Sequence, residues 1–112
     1  MSAARYDLVI DQGSDFSVEF TIKEAGVVKD LSGHSARAQL RPTKSSSILS
    51  GSFSCTIPTP ANGKIVMSLG NSVSSAVTAG IFYYDLELYT SGDAVVSRLL
   101  YGEVTVTQEV TR

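Results

Sequence analysis

Residues that carry chemistry are scarce in this sequence. Cysteine occurs once, at Cys55, and histidine once, at His34. A lone cysteine excludes an intrachain disulfide and any cysteine-rich zinc site, and it suits a chain made and folded in a reducing cytosol. No apolar run reaches the length of a signal-peptide core or a membrane span, so neither a signal peptide nor a membrane partner is expected. Charge of one sign is also lacking. The net charge is −2, and the nine Lys and Arg residues are scattered along the chain. Nucleic-acid binding needs clustered cations that release counterions from phosphates, so no nucleic-acid partner is expected.

What is present is an alternating pattern. Apolar residues make up 43% and charged residues 18% of 112 positions, a composition that builds one folded domain over residues 1–112. In TAGIFYYDLELY, residues 78–89, Phe82, Tyr84, Leu86 and Leu88 fall on one side, and Tyr83, Asp85, Glu87 and Tyr89 on the other. Period two is the signature of a half-buried strand, here the central one. A partner strand over residues 95–107 completes a hairpin, with a bulge near residues 100–102 where the alternation slips. Further strands are predicted over residues 5–10, 16–22, 35–41, 53–57 and 64–69, with Ile65, Met67 and Leu69 inward and Val66 outward. Pro42 ends one of them, and Asn62-Gly63 supplies a turn that favours positive φ. Residues 72–79 hold the one short helix, capped by Asn71 or Ser72 and ended by Gly80. The expected fold is an all-β, antiparallel, immunoglobulin-like β-sandwich of about eight strands with one short helix near residues 72–79.

The candidate chemical groups have structural explanations. His34 sits in a polar Ser-Gly-His-Ser turn with no nucleophile–base–acid set around it. Cys55 alternates with Phe53 and Ile57 and so faces the core, where a thiol behaves as a small hydrophobe. Asp11, Asp15, Asp85 and Glu87 lack the spacing of a calcium loop, and the last two suit ion pairing with Arg98 on the neighbouring strand. No enzyme is expected, and no catalytic residues, no cofactor, no metal and no small-molecule substrate. The candidate interface residues are Val66, Tyr83, Tyr89 and Tyr101, read as facing outward. Tyrosine is favoured at protein interfaces because it buries a large ring and keeps a polar tip; ordinary surface accommodates it too.

Five stretches form a recognisable series: YDLVIDQGSDFSVEFTI, LSGHSARAQLR, ANGKIVMSL, TAGIFYYDLEL and RLLYGEVTVTQEVTR. Together they resemble the small immunoglobulin-like virion proteins and modules of tailed bacteriophages, and they are similar to the N-terminal domain of baseplate upper proteins. The resemblance spans residues 5–112 and rests on turn and core signals. It implies a non-enzymatic virion structural protein of the tail or baseplate, assembled in the host cytoplasm. Several copies would contact other virion proteins in a symmetric particle. A capsid decoration (cement) protein is the alternative within that class, and a host-surface glycan-binding module the alternative from another. A glycan binder would cluster aromatics in a concave groove at a loop end; an assembly protein would present a flat sheet face or an edge.

Overall fold

The computed structural model describes residues 3–111. Its strands in chain order are β1 (Ala4–Arg5), β2 (Leu8–Asp11), β3 (Phe16–Thr21), β4 (Lys23–Glu24) and β5 (Val27–Val28). There follow β6 (Ser35–Arg41), β7 (Gly51–Thr56), β8 (Lys64–Leu69), β9 (Gly80–Tyr89) and β10 (Val96–Thr107). These are ten segments where about eight strands are expected, because the first predicted strand breaks at Tyr6-Asp7 and a small β4–β5 hairpin adds its own pair.

Strand β9 is central, as its alternation requires. Phe82, Tyr84, Leu86 and Leu88 are buried, and Leu86 lies opposite Ala38 of β6 and Leu100 of β10. Both neighbours run antiparallel to β9. The expectation of a purely antiparallel sheet is corrected at the edge: β1 and β2 both run parallel to β10, with Ala4 opposite Leu100 and Asp11 opposite Thr107. Period-two patterning fixes which face a side chain takes but not strand direction. The chain between β2 and β10 supplies the long crossover that parallel pairing needs.

The sheet curls at β7. Gly51, Ser52 and Phe53 pair with β6, whereas Ser54, Cys55 and Thr56 pair with β8, which in turn pairs with β3. The two halves thus fold onto one core that includes Leu40, Ile65, Met67, Leu86 and Val104, all fully buried. The fold is all-β: a curled mixed sheet beside the β4–β5 hairpin.

Local chemistry explains the irregular places. Opposite Gly102 the N-terminal ladder opens between β1 and β2. There the buried Tyr84 hydroxyl donates to the Tyr6 carbonyl at 2.5 Å, and the Asp7 carboxylate accepts from the Glu103 amide at 3.0 Å. A Cβ at Gly102 would collide with that same Tyr6 carbonyl, so only glycine fits. In β10 the register shifts between Arg98 and Leu100; Leu99 is the extra residue and turns inward to be buried. The expected bulge therefore exists, just before residues 100–102.

The helix is shorter than predicted. α1 spans Asn71–Ser74, a single turn in place of residues 72–79, with Gly70 as its N-cap. Its first free amide, that of Asn71, is satisfied from another strand connection by the Asp15 carboxylate at 2.8 Å. The buried Ser74 hydroxyl donates to the Ser14 carbonyl at 2.8 Å. Gly80 does not end the helix; it opens β9 at φ 144.

Candidate protein-interaction site

The outward parity of β6, β9 and β10 makes one continuous face, and the strand register sets its residues in rows. Arg37, Glu87 and Arg98 lie side by side, then Gln39, Asp85 and Tyr101, then Arg41, Tyr83 and Glu103. Successive rows are about 7 Å apart, two residues along each strand. Alternation in ARAQLR produces the β6 members: Ala38 and Leu40 are buried, so Arg37, Gln39 and Arg41 must point out.

This face is a trough with a volume of about 590 Å³. Its floor is β9, with Tyr83, Asp85 and Glu87, and its walls carry Arg37, Arg41, Arg98 and Tyr101. The connection from β6 to β7 arches over one end and brings Lys44 there, its ammonium 5.8 Å from the ring centres of both Tyr83 and Tyr101. A second hollow of about 30 Å³ lies beyond Lys44, bounded by Arg5, Tyr83, Tyr101 and Glu103.

Charges on the face are partly paired. The Arg37 guanidinium donates to Glu87 at 2.8 Å and to Asp93 at 3.2 Å while stacking 4.3 Å above the Tyr89 ring. Arg98 approaches Asp85 only to 4.0 Å and lies 5.7 Å from the Tyr101 ring. Arg41 donates to the Gln39 side chain at 2.8 Å and to the Ser46 carbonyl at 3.2 Å. Among the described residues, neither Arg41 nor Lys44 is in ion-pair contact with a carboxylate. Burial raises the Asp85 pKa, the negative charge of Glu87 adds to the effect, and Arg98 and Arg41 oppose it.

The four candidate interface residues do not form one site. Tyr83 and Tyr101 share the trough. Tyr89 is on the same face but beyond the Arg37–Glu87–Arg98 row, next to Ser35 and Val96. Val66 stands apart on the outer face of the β7–β8–β3 half, between Glu19 and Thr56. All four are half-buried where the sequence reads them as outward and exposed. The arginines were less visible as a group: only Arg98 pairs as expected, and the closer partner of Glu87 is Arg37. Their signal is the parity of β6, whereas Lys44, in a connection without periodicity, carries none.

The remaining sequence candidates are structural in their surroundings. His34 follows Gly33 in a turn, and its Nδ1 lies 3.0 Å from the Ser32 carbonyl. Cys55 packs against the core, and burial pushes its thiol pKa up to about 11, far from the range of a reactive thiolate. Among the described residues no group of His, Cys, Asp and Glu is arranged to hold a metal ion, and no helix is long and apolar enough to cross a membrane. No protein-family model matches the sequence, and comparison with curated proteins finds no match.

Proposed function

We propose that this chain is a non-enzymatic structural protein of a phage virion, of the tail or baseplate, that works by gripping other virion proteins through its β6–β9–β10 face. The observation that carries the reading is the make-up of that face: Tyr83, Tyr89 and Tyr101 beside Arg37, Arg41 and Arg98, set on paired strands. Tyrosine and arginine are among the residues most enriched at protein interfaces and their hot spots. The resemblance across residues 5–112 points the same way. We read the curled sheet as an immunoglobulin-like sandwich that turns at β7, with β1/β2, β10, β9 and β6 on one side and β7, β8 and β3 on the other; the shared core between the halves supports that reading. Several copies would sit in a symmetric particle.

The test is the double variant Tyr83→Ala with Tyr89→Ala. Its melting temperature should stay close to the parent's, while co-sedimentation with purified tail structures is lost. Undiminished incorporation removes this face from the assembly. Localisation on the head shell in an electron-microscopy map would instead favour capsid decoration.

One observation favours a second reading. The face is concave, not flat, and Tyr83 and Tyr101 both line it beside Lys44, an arrangement of aromatic rings in a hollow that suits a sugar ring. Specific hits on a glycan array that vanish with Tyr83→Ala and Tyr101→Ala would select it.

A further inference from the structure

The trough is electrically at odds with the rest of the chain. Four cations, Arg37, Arg41, Lys44 and Arg98, line it against two carboxylates, Asp85 and Glu87, on a chain whose net charge is −2. Arg37 is held by Glu87 and, at the rim, by Asp93. The uncommitted charge is therefore at the other end, on Arg41 and Lys44, with Arg98 only loosely tied. Cations gathered at one concave site without carboxylate partners attract an anionic ligand, and a guanidinium offers a paired donor fork for a carboxylate.

The shape narrows the ligand. The lining residues run over three successive rows along β9, from Arg37 and Arg98 to Arg41, so the trough follows the strands; the hollow beyond Lys44 leads sideways across β10 to Arg5, which lies opposite Tyr101. An extended polypeptide presents every second side chain to one side at about 7 Å intervals, the same spacing as the rows. The strand-borne cations stand in the two outer rows, Arg98 in one and Arg41 in the other, with Asp85 between them, so carboxylates four residues apart, about 14 Å, meet both while the backbone crosses the Tyr83 and Tyr101 rings.

We propose that the trough docks an extended, acidic segment of a partner subunit, its carboxylates taken by Arg41, Lys44 and Arg98. This inference rests on the assembly reading above and names the chemistry of the partner.

The probe is a fluorescently labelled Ser-rich peptide with Glu at every fourth position, with a peptide of equal length carrying Lys at those positions as its counterpart, followed by anisotropy. The Glu peptide should bind, weaken in high salt, and bind about tenfold more weakly to the Arg41→Gln, Lys44→Gln double variant, as expected for losing two charge-assisted contacts. A Lys23→Gln, Lys64→Gln variant, with the same change in net charge away from the trough, should bind like the parent. Equal weakening by both variants would reduce the effect to overall charge and overturn the proposal. So would equal binding of the Glu and Lys peptides. Calorimetric binding of N-acetylneuraminic acid that is lost with Arg41→Gln and Lys44→Gln, without peptide binding, would overturn the proposal and assign the trough to an acidic sugar instead. Incorporation of the Tyr83→Ala, Tyr89→Ala protein separates the two levels: if it is blocked while the peptide fails to bind, the partner's chemistry is wrong and the assembly reading stands.

Discussion

Gly63 and Asp85 show how individual positions fix this domain. Gly63 closes the 3-10 turn Pro60–Asn62 at φ 66, and its peptide accepts the Ile22 amide at 2.7 Å. A Cβ there would sit 2.7 Å from both the Lys29 carbonyl and a Val28 methyl, so the β4–β5 hairpin packs directly over a bare backbone. Gly63→Ala should cost about 3 kcal/mol in urea denaturation, the left-handed strain of an L-residue plus the displacement of rigid backbone. Asp85 makes a different contribution. Its folded pKa is raised above the ordinary value of 3.8, so the folded protein binds the proton more tightly than the unfolded chain does. Stability therefore falls as pH rises from the unfolded pKa through the folded one. Asp85→Asn should be slightly more stable than the parent at pH 7, with the difference disappearing below pH ~4. Thermal melts across that range check the sign. Of these two effects the Asn62-Gly63 turn was legible in the residues themselves, because Gly after Asn favours positive φ. The Asp85 shift was not, since its largest cause is burial, and the two arginines that oppose it are brought beside it by register.

At the level of elements, alternation was the dependable signal. It located β3, β6, β8 and β9 with the correct inward faces, because each strand has one side on the core, and the broken alternation before Gly102 foretold the bulge. Direction escaped it, as the parallel β1 and β2 show. The helix was overread because Val73 and Val77 stand one turn apart. Val77 is indeed buried, but it follows the turn that ends α1, and Val73 is exposed. A four-residue helix has too few internal hydrogen bonds to stand alone. It is held from outside by Asp15 on the Asn71 amide and by Ser74 on the Ser14 carbonyl. Ser74→Ala should cost about 1 kcal/mol by removing the bond that a buried hydroxyl makes to the Ser14 carbonyl, whereas Ser75→Ala, whose hydroxyl is exposed, should be near neutral. Paired denaturation curves distinguish the two.

Over the whole molecule, stability depends on closing the N-terminal segment against β10. Tyr84 from the central strand reaches the Tyr6 carbonyl, and Asp7 caps the Glu103 amide while its pKa is lowered by that hydrogen bond and by Arg5. Removing residues 1–7 would strip partners from Tyr84 and Glu103 together and uncover Gly102. Loss of about 2–4 kcal/mol is expected, with faster amide exchange along β10 than along β6. Equal protection of both strands in the shortened protein would show that the first ladder is dispensable.

Pairing the first and last strands in the same direction also decides where a polypeptide enters and leaves. Ala4 lies beside Leu100, and Thr107 lies beside Asp11, so the entry and exit points are separated by the length of a strand, roughly 23 Å at 3.3 Å per residue. A unit of this kind can be threaded into a longer chain like a bead on a string, each copy handing on to the next without doubling back.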